Sequence, residues 1–167
     1  MTFSVSTGHE AGHEVVRLQG PDGSTCVVVP TCGSQLATLR LSAESGAPAV
    51  DVLWAPPVAQ LARAGYRAGA PILFPFPGRI ARGTYTFRGQ PYQVSGGQQR
   101  HPLHGFVGTV PWQVVEAGAD EAAAWVRTRI THAELRLPPT AFPGLYVLEV
   151  THRLQADGYE QDRKSVV

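Results

Sequence analysis

Thr84-Tyr85-Thr86-Phe87-Arg88-Gly89-Gln90-Pro91-Tyr92-Gln93-Val94 is the stretch on which the fold reading turns. Aromatic Tyr85 and Phe87 alternate with two threonines, Arg88-Gly89-Gln90 reverses the chain, and Tyr92 and Val94 resume the alternation. A period of two interrupted by a glycine turn is the signature of a β-hairpin, because successive strand side chains point to opposite faces.

The same texture extends in both directions. Upstream, His13–Gln19 leads into the turn Gly20-Pro21-Asp22-Gly23 and then into the β-branched run Cys26-Val27-Val28-Val29, so a first hairpin is predicted. Further strands are predicted over Gln35–Leu41 and over residues 49–54, 112–116, 124–131 and 145–154. With 18 glycines and 14 prolines punctuating the chain, long helices are disfavoured. Only Val58–Ala64, alanine-rich behind Pro56-Pro57, reads as helical. The fold class is therefore all-β, a sandwich of antiparallel sheets, with one domain over residues 1–159 and an irregular charged tail over residues 160–167.

Composition narrows the function. A hydrophobic fraction of 43% against 16% charged residues belongs to a chain that folds around a core. A formal net charge of +1 supplies no broad field for phosphate backbones or anionic lipid, so neither nucleic acid nor membrane is an expected partner. The segment Met1-Thr2-Phe3-Ser4-Val5-Ser6-Thr7 has no basic or apolar leader character, and a cytoplasmic location is the expectation. Cys26 and Cys32 are the only cysteines and are read as buried small hydrophobes, with a disulfide between them as the alternative. Trp54, Trp112 and Trp125 are read as core or sheet-face residues, and Glu149 as solvent-facing in mid-strand.

Two loops combine tight turns with polar residues able to hold a polyhydroxylated ligand. In Gly69-Ala70-Pro71-Ile72-Leu73-Phe74-Pro75-Phe76-Pro77-Gly78-Arg79-Ile80, a proline-stiffened run delivers Arg79 at its end. A guanidinium offers a rigid fork of donors suited to a sugar's ring oxygen and neighbouring hydroxyls, although an arginine so placed can equally serve an ordinary surface ion pair. In His101-Pro102-Leu103-His104-Gly105-Phe106, His104 stands before a glycine that allows close approach and an aromatic that can line a pocket. A structural role for His104 is the alternative. His101 and His104 have no identifiable third ligand, so no metal is assigned.

The ordered series formed by these segments resembles the aldose 1-epimerase (mutarotase) family. It comprises Gly69-Ala70-Pro71-Ile72-Leu73-Phe74-Pro75, Arg79-Ile80, the hairpin from Gly83, Leu103-His104-Gly105-Phe106 with Pro111-Trp112, and Phe142-Pro143-Gly144. The resemblance implies a galactose mutarotase-like β-supersandwich, incomplete here, that interconverts the α and β anomers of an aldohexose without a cofactor. It implies that Arg79 and His104 bind and orient the sugar. It further implies a general acid and a general base that open and reclose the ring. The family's acid, a second histidine, and its base, a glutamate, are matched by nothing here: neither His132 nor His152 has the right surroundings.

Other departures bear on specificity and completeness. Gly78 stands where the family usually has asparagine, and the stretch after Tyr159 is unlike the family. The expectation is thus a partial family member, weak or inactive alone, that self-associates through exposed strand edges. Its ligand is an aldohexose, or a hexose 6-phosphate if Arg67, Arg82 or Arg100 contributes. The reading from another class is a non-catalytic carbohydrate-binding β-sandwich module.

Overall fold

In a computed structural model of the chain, the described residues are 2–43, 47–94, 102–135, 137–138 and 140–166. Five strands form the first sheet: β1 (Ser4–Glu10), β2 (His13–Gln19), β3 (Thr25–Val29), β4 (Gln35–Leu41) and β5 (Val50–Asp51), antiparallel and in chain order. The hairpin predicted around Arg88-Gly89 is present as β6 (Thr84–Phe87) and β7 (Gln90–Gln93), with Tyr85 opposite Tyr92 and their rings stacked at 5.3 Å. The second sheet holds β8 (Gln113–Ala119), β9 (Ala123–Thr131), β10 (Val147–Gln155) and β11 (Gly158–Val166), in the spatial order β11-β10-β9-β8.

Burial explains the two kinds of strand pattern. On β3, Cys26 and Val28 join Val16, Leu18, Leu36 and Leu39 in a core closed from the other side by Ala124, Val126 and Leu154 of the second sheet. Val27 and Val29 of the same strand instead pack with Val15, Ala37 and the helix α1 (Val58–Ala64), through Val58 and Leu61. A strand covered on both faces has no polar side, hence its unbroken apolar run. On β9 and β10 every second residue is buried, from Val126 to Ile130 and from Leu148 to Leu154. Their other face carries charge, including Arg127 paired with Glu116 at 2.7 Å and Arg153 over the Trp125 ring at 5.5 Å.

The charged end of the chain departs from expectation. Residues 160–167 were expected to form an irregular tail, yet β11 pairs with β10 over nine positions, from Gln155 opposite Gly158 to Val147 opposite Val166. Its charges mask a strand because Glu160, Asp162 and Lys164 fall on the solvent side, while Tyr159 packs against the inter-sheet core opposite Leu154. β1 carries no apolar alternation and lies mostly exposed, which is why the sequence pattern left it out. Trp112 is buried and Trp125 lies on the open sheet face, but Trp54, 74% exposed, belongs to neither core nor sheet. Both cysteines are buried and free. No helix among the described residues is long and apolar enough to cross a membrane.

Candidate functional site

The two loops singled out in the sequence lie side by side. Arg79 forms an antiparallel bridge with Leu103, flanked by hydrogen bonds from His104 N to Gly78 O and from Ile80 N to Pro102 O, both 3.0 Å. A parallel bridge joins Phe74 to Gly105, and Phe106 N donates to Phe74 O at 2.8 Å. The Phe74–Pro75 peptide is cis. Arg79 and His104 are thus one residue apart across a short two-stranded contact, Arg79 exposed and His104 half-buried.

The close approach depends on Gly105. Its φ is 78°, and a Cβ built there would stand 1.8 Å from the Phe74 carbonyl oxygen. Only glycine fits both the backbone conformation and the space. His104 itself adopts φ 65°, which turns its side chain out of simple strand alternation. Its Nδ1 meets the Pro77 carbonyl oxygen, an atom that can only accept, so Nδ1 carries the proton.

Aromatic packing supports the loops from below. Phe74 meets Tyr146 edge-on at 4.9 Å, Phe142 meets Tyr146 at 5.6 Å, and Phe76 meets Phe106 at 5.5 Å. Tyr146 is 2% exposed and burial pushes its phenol up to about 12, so it stays protonated at neutral pH. Arg67 and Arg82 are exposed, Arg82 two residues before the hairpin strand β6; Arg100 and His101 lie outside the described residues. Among the described residues no three His, Cys, Asp or Glu side chains gather to hold a metal.

His152, which the sequence alone could not place, sits at the centre of a buried hydrogen-bonded chain between the sheets. Thr128 Oγ1 donates to the Val150 carbonyl at 3.4 Å and so accepts from Ser34 Oγ at 2.6 Å. Ser34 in turn accepts from His152 Nε2 at 3.2 Å, leaving Nδ1 to accept from the Tyr159 hydroxyl at 2.6 Å. Every donor finds an acceptor only when the imidazole is neutral. Burial accordingly lowers its pKa to about 4. Fully enclosed, His152 has no path to a ligand; its work is structural. The ring of His132 packs edge-on against Tyr146 at 5.4 Å.

Comparison with known proteins places the fold. The family model described as aldose 1-epimerase matches residues 14–164. The uncharacterized protein YihR of Escherichia coli K12 is 29% identical over 87 residues, covering 51% of this chain and 26% of YihR. A galactose mutarotase-like protein from Clostridium acetobutylicum superposes with a TM-score of 0.84 at 19% identity, over 99% of this chain and 49% of that one. Galactose 1-epimerase from Lactobacillus acidophilus gives 0.70 at 15% identity, over 98% and 49%; an aldose epimerase homologue from Caenorhabditis elegans gives 0.70 at 18%, over 96% and 46%. The chain spans about half the length of these solved relatives. It has the galactose mutarotase-like β fold, and it belongs to the aldose 1-epimerase family.

Proposed function

We propose that this chain holds an aldohexose at the junction of the two paired loops, with Arg79 and His104 as its sugar-orienting pair. The observation that carries the reading is the backbone contact that fixes Arg79 beside Leu103 and His104 beside Gly78. A shared ladder fixes both backbones beforehand, so a ligand has only the side chains left to order. The guanidinium donates to the ring oxygen and an adjacent hydroxyl, and the imidazole meets a second hydroxyl through Nε2. The reaction of the family is interconversion of α and β anomers, in which an acid protonates the ring oxygen while a base takes the anomeric proton.

This 167-residue chain binds sugar but turns it over weakly or not at all. His152 is sealed between the sheets, and each proton-transfer group missing from a site forfeits about 10²–10⁴-fold in rate. The same observation favours the second reading, a carbohydrate-binding module without catalysis. Calorimetric titration with galactose and with glucose 6-phosphate, alongside anomer exchange followed by saturation-transfer NMR, separates them. Sugar binding with exchange far below that of an intact mutarotase is the expected result. No binding of either sugar refutes the site, and exchange at an intact enzyme's rate refutes the predicted weakness.

A further inference from the structure

On the opposite face of the first sheet, where α1 packs, a second group of reactive side chains lines a hollow of about 210 Å³. Cys32 closes a 3-10 turn, Pro30–Cys32, and its Sγ lies 3.4 Å from His13 Nδ1; Thr31 Oγ1 lies 3.1 Å from the same nitrogen. Cys32 and His13 both form part of the wall, with Thr31, Leu61 and Thr109. We propose that Cys32 and His13 form a covalent modification site for small uncharged carbon electrophiles, using neither Arg79 nor His104, although its wall includes Thr109 and Pro111 of the segment that follows His104.

The chemistry follows from the geometry. A thiol becomes an effective nucleophile on losing its proton, and an imidazole within hydrogen-bond reach can take that proton during attack. Burial pushes the Cys32 thiol up, while a hydrogen bond from the Thr31 hydroxyl favours the thiolate. Little standing thiolate is therefore present, and attack is coupled to proton transfer: the sulfur–carbon bond forms, the leaving group departs with its electron pair, and the thiol proton passes to His13 Nδ1. The hollow is smaller than the ~300–1,000 Å³ of drug-sized sites, which restricts it to small reagents. Among the described residues its wall holds no carboxylate, lysine or arginine, so a charged reagent would give up hydration without a paired charge. Cys26 provides an internal reference: it is fully buried in the inter-sheet core, no histidine among the described residues is hydrogen-bonded to it, and burial raises its thiol further.

The test is the rate of alkylation of the native chain by iodoacetamide, with each cysteine followed by peptide mass spectrometry. Cys32 is expected to react at least about 100-fold faster than Cys26, and both at similar rates once the chain is unfolded in urea. His13→Gln, which keeps hydrogen-bonding capacity without a comparable base, is expected to slow Cys32 at least about tenfold at unchanged thermal stability. Iodoacetate is expected to discriminate against Cys32 more than against free glutathione. If His13→Gln impairs folding, Thr31→Val serves in its place and is expected to slow Cys32 severalfold. Equal native rates at the two cysteines, or full Cys32 reactivity in the folded variant, overturns the proposal.

Discussion

Tyr159 Oη and His152 Nδ1 lie 2.6 Å apart between the two sheets, and this contact ties the last strand of the chain to the interior of the sandwich. It orders a run of hydrogen bonds that ends at the Val150 carbonyl, and it holds only for a neutral imidazole.

Acid should weaken the fold through this group. The pKa of His152 falls from 6.5 to about 4 on folding, so the unfolded chain binds more protons between those values. Stability from this group is fully present above about pH 6.5 and declines as pH falls, reaching a loss of about 3 kcal/mol near pH 4. Urea denaturation at pH 7 and pH 4.5 measures the slope. His152→Gln should flatten it relative to the parent; an unchanged slope would remove His152 as the cause.

Ending the chain after Gly158 should be costly. Tyr159 covers the inter-sheet core, and β11 satisfies one edge of β10. Losing them should cost about 3 kcal/mol or more, or roughly 6–12 °C in Tm for a domain of this size. Thermal unfolding by circular dichroism checks it; a truncated chain as stable as the parent would restore the view of this segment as a dispensable tail.

Gly105→Ala should damage the loops more than any neighbouring substitution. The added methyl would occupy the Phe74 carbonyl oxygen's space at φ 78°. A loss of at least about 2 kcal/mol is expected. Gly89→Ala, also at positive φ but with no described atom within 4 Å of the added methyl, separates backbone strain from collision and should cost less.

Arg79→Ala and His104→Asn should each weaken galactose binding about 10–100-fold, with stability changed by less than about 0.5 kcal/mol. Asparagine is chosen because it tolerates the positive φ of His104. Calorimetric titration and thermal unfolding of each variant, measured together, distinguish a binding role from a structural one. Loss of stability in parallel with affinity would assign these residues to the fold alone.

Strands with a pattern were legible in the sequence; strands held by their neighbours were not. The alternation at Tyr85 and Phe87, and the buried run Cys26-Val27-Val28-Val29, each reflect a local environment repeated along the strand. β1 and β11 instead owe their place to an adjacent strand edge, so their composition reads as coil. The site was partly legible for the same reason. Prolines and glycines around Arg79 and His104 advertise tight loops, but the bridge from Arg79 to Leu103 joins segments more than twenty residues apart. His13 and Cys32 are nineteen residues apart and meet only because the turn after β3 brings Cys32 back beside β2.

The ladder between residues 78–80 and 102–104 has a consequence for how the family's ligand preference could change in this chain. Because each loop's backbone is clamped to the other's, neither can slide to suit a bulkier or flatter guest. At the proposed sugar site, adaptation would have to come through rotamers, or through exchange of the side chains themselves. Gly78, opposite His104 and with no described atom within 4 Å of a Cβ built there, is the position from which such a change could start.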